Sequence, residues 1–100
     1  MKKVFISQPM KGKTNEEIEH ERQKIKFMLD EELGIGNYEV IDSFFKGAPH
    51  EAKPLWFLGK SLELLSTADL AVFAEGWKQA RGCSIEHECC KEYDVPIWEM

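Results

Sequence analysis

Ala68-Asp69-Leu70-Ala71-Val72-Phe73-Ala74-Glu75-Gly76-Trp77-Lys78-Gln79-Ala80-Arg81-Gly82-Cys83-Ser84-Ile85-Glu86-His87 reads as a strand, a glycine loop and the start of a helix. The apolar run Leu70 to Ala74 is short and bounded, the pattern of a strand buried on both faces of a parallel sheet. In open α/β sheets ligands bind beyond the carboxyl ends of the strands, so a carboxylate entering a helix after such an end faces that crevice. Glu86 is that carboxylate. On the first turn of a helix it gains from the dipole, which favours its ionised form. An ionised, positioned carboxylate serves as a nucleophile, as a general base, or only as a charge that suits the dipole.

The same alternation extends in both directions. Val4 to Ser7 is a first short strand, broken by the loop Gln8-Pro9-Met10-Lys11-Gly12-Lys13. Thr14-Asn15-Glu16-Glu17 fits a capping box and starts a helix. Its apolar positions Ile18, Ile25, Met28, Leu29 and Leu33 share one face, its charged face carries Glu16, Glu19, Arg22, Lys26 and Glu32, and Gly34 and Gly36 stop it. Tyr38 to Asp42 is a second strand, and Ser43 to Lys53 is the longest loop. Pro54 opens a second helix with the stripe Leu55, Leu58, Leu62 and Leu65, ending near Thr67. Asp69 to Ala74, a helix from about Ser84 to Tyr93, and the strand Val95 to Trp98 complete the chain. Pro96 marks that last strand as an edge.

The resulting βαβαβαβ order predicts an α/β fold with a parallel sheet of about four to five strands and helices on both faces. The expected order is 2-1-3-4, with the second and last strands outermost. The first and third strands are then neighbours, and the loops from Ser7 to Gly12 and from Gly76 to Glu86 border one crevice.

One hundred residues suit a single domain spanning 1–100. Asp and Glu number 18 against 13 Lys and Arg, and the bases are interleaved with acids, so a nucleic acid polymer is not the expected partner. No apolar stretch approaches the ~20 residues of a membrane span, and the start reaches Gln8 and Pro9 too soon for a signal peptide, which points to the cytoplasm and no membrane partner. Cys83, Cys89 and Cys90 form no even disulfide framework and read as reduced thiols.

Several positions carry chemistry beside a plainer reading. The Gln8 to Lys13 loop offers backbone amides and lysines to a phosphate or sugar oxygen, or is a solvated turn. It is neither a Walker loop nor a dinucleotide fingerprint. His87-Glu88-Cys89-Cys90 lacks a paired ligand at zinc spacing, so no metal and no cofactor is expected. Cys89 reads as a small core residue beside Ile85, and His20 and His50 as solvated. Trp77 stacks a ring such as a base, or covers the core. Ser61 shares a helix face with Phe57, Leu58, Leu64 and Leu65, which places it at the buried margin.

Val4-Phe5-Ile6-Ser7-Gln8-Pro9-Met10, followed by Gly12, resembles the first strand and loop of the nucleoside 2-deoxyribosyltransferase superfamily, in particular a small phage and bacterial branch whose loop commonly reads Gly-Pro-Met-Thr-Gly. Ala68-Asp69, Gly76-Trp77, Arg81-Gly82 and Ile85-Glu86 resemble the same branch. The resemblance covers nearly the whole chain in order and spacing. It implies a flavodoxin-like, three-layer fold, assembly into a homo-oligomer, and cleavage of an N-glycosidic bond in a deoxynucleoside or its 5′-phosphate. The family's nucleophilic glutamate falls on Glu86. Ser7, Gln8, Pro9, Met10 and Gly12 would hold the sugar or phosphate, with Trp77, Arg81 and Gly82 across the crevice.

The sequence departs from the family at two positions. Family members carry an aspartate eight residues before the one that opens the third strand, and Ser61 stands there. Some carry another six residues before the nucleophile, where this chain has Ala80. A serine cannot protonate a leaving group as a carboxylic acid does, so Ser61 is the catalytic position in question. Two functions follow. One is a nucleoside- or nucleotide-binding enzyme acting through Glu86, and the other is a non-catalytic nucleotide-sensing or interaction domain of the same fold.

Overall fold

The computed structural model describes residues 1–43 and 49–100, so part of the Ser43 to Lys53 loop lies outside the described residues. The elements run β1 (Lys2–Ser7), α1 (Asn15–Leu33), β2 (Tyr38–Val40), α2 (Pro54–Leu65), β3 (Leu70–Phe73), a 3-10 turn (Trp77–Gln79), α3 (Arg81–Glu92) and β4 (Ile97–Glu99). The sheet is four-stranded among the described residues, all parallel, in the order β2-β1-β3-β4. The fold is α/β and consistent with a flavodoxin-like arrangement, with the strand order expected from the sequence. No helix among the described residues is long and apolar enough to cross a membrane.

Alternation along the strands sorts the core into two layers. Val4 and Ile6 of β1 pack with Leu70, Val72 and Ala74 against Ile25 and Leu29 of α1. On the other face Phe5, Ala71 and Phe73 pack with Leu65 of α2 and Cys90 of α3. Side chains one residue apart in a strand point to opposite faces, so Ser7 follows Phe5 toward the α3 layer while Gln8 turns toward α1.

The local signals explain the helix starts unequally. The Thr14 hydroxyl accepts from the Glu17 amide and the Glu17 carboxylate accepts from the Thr14 amide, each at 3.1 Å, so α1 begins where the capping box places it. The third helix begins at Arg81 rather than near Ser84, with Ala80 at its cap and no side-chain cap bond. Asp69 fixes the entry to β3 as a structural residue: its carboxylate accepts from the Lys3 amide and its own amide donates to the Lys3 carbonyl, both at 2.8 Å.

The structure revises several boundaries. The second strand stops at Val40, although the Ile41 amide still donates to the Val4 carbonyl at 2.8 Å. The last strand is shifted to Ile97–Glu99, because Pro96 has no amide to donate and offers only its carbonyl to Ala71, at 2.9 Å. The leucine stripe of α2 faces inward only toward its end, with Leu65 buried and Leu55 76% exposed. Cys83 and Cys90 are the buried cysteines, while Cys89 is half-buried and packs at the margin of the core, and Ile85 is 38% exposed.

Candidate active site

Three buried positions of α3 lie on one face at helical spacing, Cys83, Glu86 and Cys90. Glu86 is therefore a core-facing residue of the helix, 6% exposed, between two thiols. It lies in the second turn of α3, not the first, because the helix starts at Arg81. The dipole, which acts within the first turn, is not what sets its charge. The Ser7 hydroxyl at the end of β1 donates to Glu86 Oε1 at 2.6 Å, a contact spanning 79 residues of sequence. Ser61, half-buried on α2, faces the same carboxyl as a second and weaker donor.

Burial pushes the Glu86 carboxyl above the ordinary carboxylate range, and the Ser7 and Ser61 hydroxyls pull it part of the way back by stabilising the charged form. Neither lysine nor arginine is ion-paired with it among the described residues. Burial likewise raises the Cys83 thiol, with Ser7 acting against the shift and Glu86 adding to it.

The folded protein thus holds the Glu86 proton more tightly than the unfolded chain. The stability associated with this group is full below the ordinary carboxylate pKa and is lost as pH rises through the elevated folded value. Glu86→Gln keeps an acceptor for Ser7 but removes the titration. Its melting temperature should exceed that of the wild type at neutral pH, with the gap closing on acidification. Parallel melting curves for the two proteins across that range would show that the carboxyl is not desolvated.

The two loops expected to border one crevice do meet. The Ala74 amide donates to the Ser7 carbonyl at 2.8 Å, tying the carboxyl ends of β3 and β1 together. Gly76 has φ +88°, a left-handed conformation that disfavours other residues, and a Cβ there would lie 3.7 Å from Pro9 Cγ. Pro9 and Gly76 are thus in van der Waals reach above the switch point between β1 and β3.

Other expected ligand contacts are placed differently. Gln8 is buried and engaged at both ends of its amide. Its Nε2 donates to the Ile18 carbonyl at 3.2 Å and to Glu21 Oε1 at 3.0 Å, and its Oε1 accepts from Arg22 Nη1 at 3.0 Å. Glu21 also pairs with Lys13 at 3.5 Å, so one α1 carboxylate holds both ends of the Gln8 to Lys13 loop. Met10 and Gly12 are exposed in the tip of that loop, where the Met10 carbonyl accepts from the Lys13 amide at 3.1 Å. Arg81 is exposed and Gly82 half-buried in the first turn of α3. The Trp77 ring lies flat on His87, centroids 3.9 Å apart and planes 9° apart, and Lys78 Nζ stands 5.7 Å from its centroid.

Arg22 is the residue that charge-based reading missed. It is 6% exposed rather than on the solvent face, and it donates to Gln8 and, at 3.3 Å, to Ser43 after β2. Burial lowers its pKa, with Glu19 and Asp42 acting in the opposite direction. The signal was present: 18, 22, 25 and 29 is an unbroken helical stripe. Two shallow surface hollows, one lined by Pro49, Glu51, Ala52, Lys53, Leu55 and Trp56 and one by Met28, Glu32, Trp98, Glu99 and Met100, do not include Glu86. Among the described residues no group of three or more His, Cys, Asp or Glu could hold a metal ion.

No family model, no curated protein and no solved structure matches this chain.

Proposed function

We propose that the chain binds a nucleoside or nucleotide and cleaves its N-glycosidic bond, by hydrolysis or deoxyribosyl transfer, with Glu86 as the nucleophile. The observation that carries this reading is a buried carboxylate, at the junction of the β1 and β3 ends, held at 2.6 Å by a hydroxyl instead of by a cation. A structural carboxylate buried in a core is ordinarily neutralised by a paired charge. Glu86 instead has hydroxyl donors that fix its orientation and offset part of the burial that favours its protonated form. Attack on the anomeric carbon forms a glycosyl ester on Glu86 and releases the base, and water or an acceptor base then resolves the ester.

Ser7 acts in this scheme as a positioning residue for the nucleophile, and Ser61 as a second one, in place of a direct role in proton transfer. The exposed Met10 to Gly12 backbone and Arg81 remain for the sugar or its substituents. The near-complete burial of Glu86 favours a second reading, a non-catalytic nucleotide-sensing or interaction domain of the same fold.

The deciding experiment incubates the purified protein with deoxynucleosides and their monophosphates and follows free base by chromatography. Release that disappears in Glu86→Ala supports the enzyme. Binding without release selects the sensor, and neither binding nor release overturns both.

A further inference from the structure

The glycosidase reading leaves one proton unassigned, since Ser61, which faces Glu86 from α2, is not an acid. We infer that His87, oriented by Glu99, supplies that proton, an inference that rests on the proposed reaction at Glu86. His87 Nε2 lies 2.7 Å from Glu99 Oε2, on the last residue of β4. An ionised carboxylate only accepts, so Nε2 carries the hydrogen of that bond and Nδ1 is the second proton position. Nδ1 has no partner among the described residues and is not sealed from solvent. The ring is held on its other sides by Trp77, stacked at 3.9 Å, and by the edge of Phe73 at 4.9 Å.

The placement follows from the helix. Consecutive residues of an α-helix diverge by about 100° and rise about 1.5 Å. Glu86 turns to Ser7 and Ser61, toward β1 and α2, while His87 turns to Phe73 and Glu99, toward β3 and β4. Trp77, which follows Gly76 at the start of the 3-10 turn, stacks on the His87 ring and meets the edge of Phe73. A deoxyribosyl group with its anomeric carbon at Glu86 directs its base toward Trp77 and His87.

The bookkeeping of protons closes. Glu86 forms a bond to the anomeric carbon as the N-glycosidic bond breaks, the bonding pair stays on the base, and the base takes the Nδ1 proton of the imidazolium. Water then attacks the glycosyl ester, its proton returns to Nδ1, and Glu86 leaves as the free carboxylate. The charged groups at the ring are Glu99 from β4 and, across Trp77, Lys78 from the 3-10 turn, with Glu86 and Glu88 its neighbours in the sequence of α3. β3 contributes the apolar Phe73.

Acid catalysis of this kind is separable from a structural role by the leaving group. His87→Gln should lower kcat/KM for a deoxynucleoside by about 10²- to 10⁴-fold. Turnover of nitrophenyl 2-deoxyriboside, whose leaving group needs no proton, should be largely unchanged. Glu99→Gln retains an acceptor for the ring and should show the same split at smaller size, which also serves if His87→Gln does not fold. Equal losses on both substrates, or none, overturn the assignment of His87 while base release sensitive to Glu86→Ala leaves the nucleophile standing. Absence of base release by the wild type overturns both.

Discussion

Phe73→Ala is expected to cost about 3–5 kcal/mol of folding stability, the range for deleting a buried aromatic side chain whose site only partly collapses. Phe73 is fully buried at the end of β3, the strand paired with both β1 and β4. It packs with Phe5, Leu65, Ala71 and Cys90. Its ring also meets Trp77 at 5.7 Å and His87 at 4.9 Å. A domain of this size has a net stability of roughly 5–15 kcal/mol, so one truncation removes a large part of it. At about 4–8 °C per kcal/mol the melting temperature should fall by roughly 12–40 °C. Phe73→Leu, which refills most of the space, should lose much less. Urea unfolding of the three proteins measures the difference, and a loss below about 1 kcal/mol for Phe73→Ala would mean that β3 does not occupy the centre of the core.

The fold was legible because its signals are local and repeat. Apolar runs of four to six residues, a capping box at Thr14 and terminal glycines after α1 place the elements, and the rule that ligands bind where strand order reverses sets the sheet order. The start of α3 was less legible because Ala80 offers no side-chain cap and Gly82 weakens the first turn. That shift of three residues moves Glu86 from the first to the second turn, and what governs its protonation is then not a dipole that favours the charge but burial that opposes it, partly offset by hydroxyls.

The site was legible as a place more than as a set of contacts. Glu86 and Ser7 were each visible, yet their bond joins two elements whose neighbourhood is a property of the sheet and not of either segment. Gln8 reads as loop but is engaged by Ile18, Glu21 and Arg22, because the first residue after β1 points back over α1. Arg22 was assigned outward on its charge although its helical position lies on the apolar stripe. Periodicity was the better guide there, since buried guanidinium groups exist where neutral acceptors and nearby carboxylates offset desolvation.

Ser61→Asp gives opposite results in two backgrounds. Ser61 faces the Glu86 carboxyl, so aspartate there puts two carboxyl groups in one partly buried site. Two such groups cannot both ionise freely, and the pair retains a proton to higher pH than either would alone. That shared proton is the acid that His87→Gln lacks. In the His87→Gln background Ser61→Asp should therefore raise base release by about 10- to 1000-fold, the span that general acid catalysis supplies. With His87 intact the same substitution should bring no gain, because the proton is already provided and the nucleophile now shares its charge. The measurement is base release in the four combinations, with melting curves to establish folding and Glu86→Ala as background. A comparable gain with His87 present would show that this side chain never served as the acid. No gain in either background, in folded protein that still binds nucleotide, would place Ser61 away from the leaving group and favour a domain that senses its ligand without cleaving it.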